Sequence, residues 1–307
     1  MEMRILRGGM QTTVQDLGRP GHRAAGVPLS GAMDPFALRV ANLLVGNPEN
    51  AAALECTLVG PELEFSAETV VALGGVEWEC MPSWKPLRVP AGERVRLGGC
   101  LRGCRGYLTV AGGIEVEAVL GSRSTYLRAG FGGHEGRALR DGDMLAVLAA
   151  ARQVGNNWRI DERVLPAYSA GPTVRVIRGA QADEFGAALF ETEFKISAQS
   201  DRMGLRLTGA KLMRTSAEEL VSSAVAPGTV QVPPDGHPIV LMADAQTIGG
   251  YPQAAHVISA DLPLMAQLRP GDAVRFAEVT LVEAQRLAFA AEHTLALLRE
   301  GLAQKFR

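Results

Sequence analysis

Two pairs of matching segments constrain the fold of this chain more than any other feature. Residues 3–8 (MRILRG) and 174–179 (VRVIRG) share the order apolar, Arg, apolar, apolar, Arg, Gly. Residues 139–145 (LRDGDML) and 268–274 (LRPGDAV) share a Leu-Arg turn with Gly-Asp that leads into an apolar run. Matching beginnings and matching ends indicate a duplicated structural unit. The first copy has more residues between its opening and closing segments than the second copy has, which predicts insertions in the first copy.

Short apolar runs separated by glycine and proline fill both copies. Glycine occurs 35 times in the 307 residues, whereas aromatic residues make up only 5%. Short strands separated by such turns are typical of sandwiches and barrels. We therefore predict a mainly β protein with two related β-barrel domains, short helices and a C-terminal helix. The first domain would cover residues 1–150, a connection residues 151–171, and the second domain residues 172–307.

Three segments carry the signals of a helix start. Asp34 precedes a proline, which is the order of an N-cap and a first helical residue. Asn47 also precedes a proline and predicts a second short helix that runs towards residue 55. Thr280 begins the capping box TLVE, so a C-terminal helix should start there and end at Gly301.

The stretch from residue 229 to residue 261 has many polar residues at predicted strand ends and turns. A short alternating run ends in the turn PPDG, and the apolar run PIVLMA is followed by DAQT and the turn GGYP. Binding and catalytic sites are usually built from such positions on a rigid scaffold. The alternative interpretation is a set of turn-forming and strand-capping residues. Taken together, the cluster favours a functional site.

Composition excludes several other classes of function. The net charge is −2 with no basic stripe, which argues against a nucleic-acid partner. The N-terminus lacks the apolar core of a signal peptide, and the apolar run at 144–151 is too short to span a bilayer. We expect a soluble, cytoplasmic protein.

Cys100 and Cys104 could form half of a zinc site, but no second close pair follows, so we predict buried thiols and no metal.

Six motifs together resemble one known family. They are TTVQDLGRPG at 12–21, SGAMD at 30–34, LGSRSTY at 120–126, QSDRMG at 199–204, QVPPDG at 231–236 and ADAQTIGGYP at 243–252. The chain resembles the KipA family, also called allophanate hydrolase subunit 2, from about residue 3 to residue 276. That family includes the C component of 5-oxoprolinase and the second half of the carboxyltransferase region of urea carboxylase. The resemblance implies cyclophilin-like β-barrels.

The family that the chain resembles contains several activities. One branch opens the lactam ring of 5-oxoproline to glutamate at the expense of ATP, together with two further subunits. Another branch transfers a carboxyl group from carboxybiotin to urea, and a third regulates a KipI-like kinase inhibitor. Our leading prediction is the C component of an ATP-dependent 5-oxoprolinase. Carboxyl transfer to urea or a related amide, and regulation of a KipI-like inhibitor, are the alternatives.

The resemblance also implies partners and cofactors. A KipI-like chain, equivalent to the B component of 5-oxoprolinase, would pack against this one, and a lactam-utilisation protein, the A component, would be a further partner. ATP would bind at a site shared with the partner, because the sequence contains no complete nucleotide-binding motif. The Met-Lys-Met motif that carries biotin is absent, so no covalently bound biotin is expected. The apolar surface towards the partner is predicted to contain Leu29, Met33, Phe131 and Tyr251.

Residue types within the motifs suggest how a lactam could be opened. Asp235, Asp244 and His256 are the predicted catalytic residues, because carboxylates and imidazoles transfer protons. The alternative for His256 is a purely structural role.

The predicted substrate-binding residues come from the same stretch and from other motifs. Gln231, Gln246 and Tyr251 would donate hydrogen bonds to a developing oxyanion. Gln253 stands where the family that the chain resembles usually has Lys or Arg, a position at which a basic group could hold a carboxylate. Further members of the predicted set, from other motifs, are Asp34, Arg123 and Arg202.

Overall fold

The protein's structure, a computed structural model, describes residues 1–151, 155 and 158–306. The chain forms two compact units, and neither is one continuous stretch. Unit 1 consists of Met1–Arg19, Ser30–Pro166 and the chain from His293 onwards, and unit 2 consists of Pro20–Leu29 and Ala167–Glu292. The predicted domains, 1–150 and 172–307, are continuous and stay a prediction, whereas each compact unit includes a segment from the other half of the sequence. Residues 152–154, 156 and 157 of the predicted connection lie outside the described residues.

Within the described residues, the strands of unit 1 form two five-stranded sheets. One sheet has the order β7-β4-β1-β10-β9 and the other β2-β3-β8-β5-β6. Both sheets contribute to a single apolar core, for example Ile5 and Leu63 from the first and Leu54 and Leu108 from the second. The strands are β1 (Glu2–Arg7), β2 (Gln11–Gln15), β3 (Ala53–Thr57), β4 (Glu62–Phe65), β5 (Thr69–Gly75), β6 (Pro86–Val89), β7 (Arg94–Arg96), β8 (Arg105–Val110), β9 (Ile114–Glu115) and β10 (Met144–Val147).

Helix α1 (Pro35–Leu44) begins as the sequence predicts. The Asp34 carboxylate accepts a hydrogen bond from the Ala37 amide at 3.0 Å, and a proline occupies the first turn. The helix packs on β5 and β8, where a side chain at Gly74 would overlap the backbone of α1. The prediction of a second short helix after Asn47 is wrong. The end of the predicted helix belongs to strand β3, which pairs with β2 on one side and β8 on the other. A local capping signal was therefore overridden by pairing with two distant strands.

Loops of unit 1 are tied together by the buried carboxylate of Asp16. Its Oδ1 accepts hydrogen bonds from the hydroxyls of Ser122 and Ser124 at 2.6 and 2.5 Å and from the Gly18 amide at 2.8 Å. Its Oδ2 accepts from the Arg123 amide at 2.6 Å. The motifs TTVQDLGRPG and LGSRSTY, more than 100 residues apart, are thus joined through one side chain.

The strands of unit 2 close into a barrel with the order β11-β18-β15-β16-β13-β12-β19. Strand β11 pairs in parallel with β19 and antiparallel with β18. The barrel strands are β11 (Thr173–Arg178), β12 (Phe194–Ile196), β13 (Gly204–Thr208), β15 (Thr229–Gln231), β16 (Ile239–Leu241), β18 (Gln253–Val257) and β19 (Ala273–Glu278). Outside the barrel, β14 (Ser223–Ala224) and β17 (Ile248–Gly249) form a two-stranded sheet, which we call the ribbon.

The helices of unit 2 are short apart from the last. They are α2 (Ala188–Glu191), which follows a single 3₁₀ turn, and α3 (Leu262–Ala266). Helix α4 (Leu281–Ala303) begins at the predicted cap, where the Thr280 hydroxyl accepts from the Glu283 amide at 3.2 Å. It continues past Gly301, the predicted end. The predicted mainly β fold with a barrel and a C-terminal helix is confirmed.

Among the described residues, no helix is long and apolar enough to cross a membrane. No group of three or more His, Cys, Asp or Glu side chains in this part of the chain could hold a metal ion. Cys104 is buried as predicted, whereas the prediction for Cys100 is wrong because Cys100 is only half-buried. Of the other two cysteines, Cys56 is buried and Cys80 is exposed.

An ion pair in unit 1 should make stability depend on pH. The Arg137 guanidinium donates two hydrogen bonds to Asp143, at 2.7 and 2.9 Å, and lowers the pKa of that carboxyl from 3.8 to about 2. A depressed carboxyl pKa stabilises the folded state above the unfolded pKa, and this contribution is lost as the pH falls towards the folded pKa. We expect Asp143→Asn to flatten the fall in unfolding free energy between about pH 4 and pH 2. Urea unfolding at several pH values measures this.

The matched control for Asp143 is Asp183→Asn, since the Asp183 side chain is 97% exposed and its pair with Arg178 is screened by solvent. This control should leave the pH dependence close to that of the wild type. Identical curves for wild type and Asp143→Asn would contradict the assigned role.

Candidate functional site

A group of glutamine side chains lies where the ribbon meets the barrel of unit 2. The Gln246 amide donates to Gln231 Oε1 at 3.3 Å, and the Gln231 amide donates to the Tyr251 carbonyl at 3.2 Å. Gln231 is buried at the end of β15, and Gln246 is half-buried in the turn before β17. A side chain at Gly249 would come within 2.8 Å of Gln231 Nε2. The predicted binding residues Gln231, Gln246 and Tyr251 are therefore neighbours, although Tyr251 contributes its backbone carbonyl.

Gln253 joins this group from strand β18. Its side-chain amide donates to Ser223 Oγ at 2.9 Å and to the Ala224 carbonyl at 3.2 Å, both in the ribbon. Its backbone amide donates to Gln181 Oε1 at 3.0 Å. Sequence reasoning missed Gln181 and Ser223. The only signal for Gln181 is its place just after the strand β11, where polar residues often serve a site.

The segments that form the ribbon carry no charged side chain of their own, whereas the Arg23 guanidinium donates to the Val225 carbonyl at the end of the ribbon. Residues 220–234 and 245–255 contain no Asp, Glu, Lys or Arg, in a chain of which 21% is charged. The glutamine side chains supply both N–H donors and C=O acceptors without a formal charge. Such an arrangement suits a neutral planar amide, which itself offers one donor and one acceptor.

Asp244 and Arg202 form a buried ion pair. Arg202 Nε and Nη2 donate to the two carboxylate oxygens of Asp244 at 2.9 and 3.2 Å, and both side chains are about 95% buried. The Asp244 amide also donates to the Arg202 carbonyl at 2.9 Å. The bidentate geometry fixes the loop that precedes Gln246, so the pair positions the site residues that follow it. A catalytic role for Asp244 stays a prediction.

His256 lies on β18 opposite Thr229 of β15, with 3.2 Å between His256 Nδ1 and the Thr229 hydroxyl. Burial lowers the pKa of the imidazole, so the neutral form is favoured near neutral pH. Side chains alternate along a strand, so Thr229 and Gln231 point to the same side of β15. A neutral imidazole on this side can accept a proton.

Three of the predicted site residues make contacts other than those of the glutamine group. Asp235 is exposed in its turn, and its carboxylate accepts from the His237 amide at 3.0 Å, which is a turn-forming contact. Asp34 and Arg123 belong to unit 1, where Asp34 caps α1 and Arg123 Nε donates to the Val116 carbonyl at 3.1 Å. Of the residues predicted for the partner surface, Tyr251 is half exposed. The prediction for Met33 is wrong, because its side chain is buried.

Unit 1 contains a second buried polar group that sequence reasoning missed. The Tyr107 hydroxyl donates to Glu55 Oε2 at 2.8 Å and accepts from the Asp34 amide at 2.8 Å, and the Met33 amide donates to the same Glu55 oxygen. Burial raises the pKa of Tyr107 well above its ordinary value, and the Glu55 and Asp34 charges raise it further. The phenol therefore stays protonated. These contacts hold the SGAMD segment against β3 and β8.

Comparisons with known proteins agree with the fold and with one another. The model of the family described as carboxyltransferase domain, subdomain A and B, matches residues 25–278. The chain is 44% identical over 292 residues to the C component of 5-oxoprolinase from Escherichia coli, covering 92% of this chain and 93% of that protein. It is 32% identical to the urea amidolyase of Lachancea kluyveri over 96% of this chain, but spans only 18% of that protein.

Solved structures give the same result. The Kluyveromyces lactis urea carboxylase matches all of this chain with a TM-score of 0.91 and 30% identity, and the chain spans 30% of its length. TTHA0988 matches 90% of this chain with a TM-score of 0.82 and 34% identity, and the chain spans 55% of it. The resemblance to the KipA, or allophanate hydrolase subunit 2, family is thereby confirmed. The protein belongs to the carboxyltransferase domain family of subdomains A and B.

Proposed function

We propose that this chain is the C component of an ATP-dependent 5-oxoprolinase. The observation that carries the proposal is the 44% identity to the Escherichia coli protein of that name, over 92% of one chain and 93% of the other. The two chains correspond along nearly their whole lengths, whereas the urea amidolyase relative contains this chain as 18% of its own length. We therefore rank the 5-oxoprolinase reaction above that of the urea amidolyase relative.

The neutral glutamine group supports a lactam substrate. In the proposed reaction, the lactam carbonyl oxygen takes the terminal phosphoryl group of ATP and water adds to the activated carbon. The C–N bond then breaks, the nitrogen leaves as the protonated amine, and a second water hydrolyses the acyl phosphate, so that glutamate, ADP and phosphate are released. The side-chain amides of Gln231 and Gln246 would hold the lactam and stabilise the oxyanion that develops at its carbonyl. His256, kept neutral by burial, would accept the proton of the attacking water. Asp235 remains a further candidate for proton transfer, and Asp244 would act through Arg202.

Partner chains are part of the proposal. A KipI-like chain equivalent to the B component would complete the active assembly, and the lactam-utilisation protein, the A component, would join it. ATP is a substrate that would bind at a site shared with a partner. The relatives in Escherichia coli and Haemophilus influenzae are each named as one lettered component of 5-oxoprolinase, which supports an assembly of several chains.

The test is a reconstitution. The chain, its KipI-like partner and the lactam-utilisation protein are purified separately and combined, and 5-oxoproline-dependent release of phosphate from ATP is measured. We expect no measurable activity for the chain alone and activity only for the mixture. Full activity of the lone chain, or an inactive but assembled mixture, would refute the proposal.

Replacing Gln246 tests the glutamine group within the assembly. We expect Gln246→Ala to lower kcat/KM for 5-oxoproline at least about tenfold, roughly 1.4 kcal/mol of barrier, because it removes a donor that faces Gln231. The matched control is Gln285→Ala, an exposed glutamine of α4, which should keep the wild-type rate. Equal rates for both variants would place the reaction elsewhere.

A second candidate is carboxyl transfer from carboxybiotin to urea or a related amide. The match of all of this chain to 30% of the Kluyveromyces lactis urea carboxylase, with a TM-score of 0.91, supports it. The neutral Gln253, whose side chain is held by the ribbon, weighs against it because no basic group stands there to hold a carboxylate. The discriminating assay supplies biotin carboxylase, carboxybiotin carrier and urea. Avidin-sensitive urea carboxylation without 5-oxoproline turnover would favour this candidate.

A further inference from the structure

Arg23 brings a positive charge to the end of the ribbon. Its Nη2 donates to the Val225 carbonyl, 202 residues further along the sequence. The Val225 amide donates to the Thr247 carbonyl at 3.1 Å and continues the pairing of the ribbon. The N–H and C=O of one strand residue point to the same edge, so the guanidinium lies on the edge that faces Thr247. The positive charge is therefore beside the loop that carries Gln246.

A compact turn holds Arg23 in this place. Residues 20–29 belong to unit 2, although the chain before and after them belongs to unit 1. Arg23 begins a 3₁₀ turn in which the His22 carbonyl accepts from the Ala25 amide at 3.0 Å. Gly26 ends the turn with a φ of 82°, and its amide donates to the Arg23 carbonyl at 3.0 Å. The loop thus presents the arginine to unit 2 from a hydrogen-bonded backbone.

No carboxylate neutralises Arg23 within the part of the chain that the structure describes. The contact with the Val225 carbonyl is its one hydrogen bond there, and no Asp or Glu side chain forms an ion pair with it. The side chain is half-buried, and a charge that is partly removed from water is costly without a counter-ion. A guanidinium has five N–H donors in a fixed fork, which matches the two oxygens of a carboxylate. An anionic group of a ligand is therefore the partner that this position favours.

The proposed lactam substrate carries such a group. 5-Oxoproline has one carboxylate, on the ring carbon next to the lactam nitrogen. The glutamine group offers N–H donors and C=O acceptors but no charge, so it suits the lactam and leaves the carboxylate unmatched. We propose that Arg23 binds the substrate carboxylate through the N–H groups that the Val225 carbonyl does not use. This inference rests on the proposed function. Arg23 is then a specificity residue that selects carboxylated lactams over neutral ones.

The experiment compares wild type and Arg23→Gln in the reconstituted assembly. We expect the KM for 5-oxoproline to rise at least about tenfold, because a neutral amide replaces a charged donor to the carboxylate. The kcat and the KM for ATP should stay within about twofold of wild type. Glutamine keeps N–H donors that can serve the Val225 carbonyl. The matched control is Arg286→Gln, since the Arg286 side chain of α4 is 66% exposed, and it should keep the wild-type constants.

A neutral lactam separates binding of the carboxylate from a merely structural role. 2-Pyrrolidinone is 5-oxoproline without its carboxylate, and its Ki as a competitive inhibitor should be the same within about twofold for wild type and Arg23→Gln. Equal weakening of both lactams would show that Arg23 positions the ribbon, and would overturn the proposal.

The remaining outcomes distinguish this inference from the proposed function. An active assembly in which Arg23→Gln leaves the KM for 5-oxoproline unchanged, or raises the KM for ATP instead, overturns the role of Arg23 alone. A complete wild-type assembly without 5-oxoproline-dependent release of phosphate refutes the proposed function, and this inference with it.

Discussion

Replacing Asp244 by alanine is expected to lower the free energy of unfolding by about 3–5 kcal/mol. Asp244 accepts both hydrogen bonds of the Arg202 fork, at 2.9 and 3.2 Å, and both side chains are nearly fully buried. Removing the carboxylate takes away the counter-ion that both Nε and Nη2 of the buried Arg202 contact. The cost is that of a desolvated charge rather than of two hydrogen bonds. Urea unfolding followed by circular dichroism measures the effect.

Two further variants separate this explanation from simple loss of packing. The double variant Arg202→Leu/Asp244→Leu removes both charges and should be clearly more stable than Asp244→Ala. Asp183→Ala breaks an ion pair whose carboxylate is 97% exposed and should leave the unfolding midpoint close to wild type. If Asp244→Ala and Asp183→Ala lowered the free energy of unfolding by the same small amount, the stabilising role assigned to the buried ion pair would be contradicted.

Replacing Asp16 by alanine is expected to lower the free energy of unfolding by about 3 kcal/mol. The carboxylate accepts hydrogen bonds from Ser122, Ser124, Gly18 and Arg123, and it is 7% exposed. Hydrogen bonds to a charged group are stronger than neutral ones, and the donors left behind would be buried without this acceptor. Thermal and urea unfolding both measure the loss.

The matched variant for this prediction is Asp235→Ala. Asp235 is exposed and accepts from the His237 amide at 3.0 Å, so its loss should change the unfolding free energy by less than about 0.5 kcal/mol. Asp16→Asn should lie between the two, because one oxygen acceptor is kept while the amide places a donor against other donors. Equal stability of Asp16→Ala and Asp235→Ala would contradict the role assigned to Asp16.

Parts of the site could be read from local sequence. Gln231, Gln246, Tyr251 and Gln253 lie within 23 residues of one another, and the turn signals between them bring them together. Tyr251 contacts Gln231 through its backbone carbonyl, and a role of its hydroxyl as an oxyanion donor stays a prediction. The place of Gln181 just after β11 gave only a weak local signal, and nothing in the sequence indicated its contact with Gln253, which is 72 residues away. Contacts of that range depend on how the barrel strands pair, and residue types at one point of the chain do not encode it.

The partner of Asp244 illustrates the same limit. The sequence marks Asp244 as a polar residue at a strand end, which is equally typical of a catalytic base and of a structural anchor. Arg202 lies 42 residues earlier, in a motif that reads as a turn. Only the closed barrel brings the two together, away from solvent, where an unpaired charge is costly.

The sequence by itself determined the mainly β class, the duplicated beginnings and ends of the two copies, and the starts of α1 and α4. These follow from strand-length apolar runs, turn residues and caps, which act over a few residues. Only the tertiary structure decided how the opening strand of each copy pairs with its closing strand. The opening strand β1 runs antiparallel to the closing strand β10, whereas β11 runs parallel to β19, although the sequences match. Strand direction and the rejection of a helix at β3 arise from long-range hydrogen bonding and shared burial, and local propensity is too weak to oppose them.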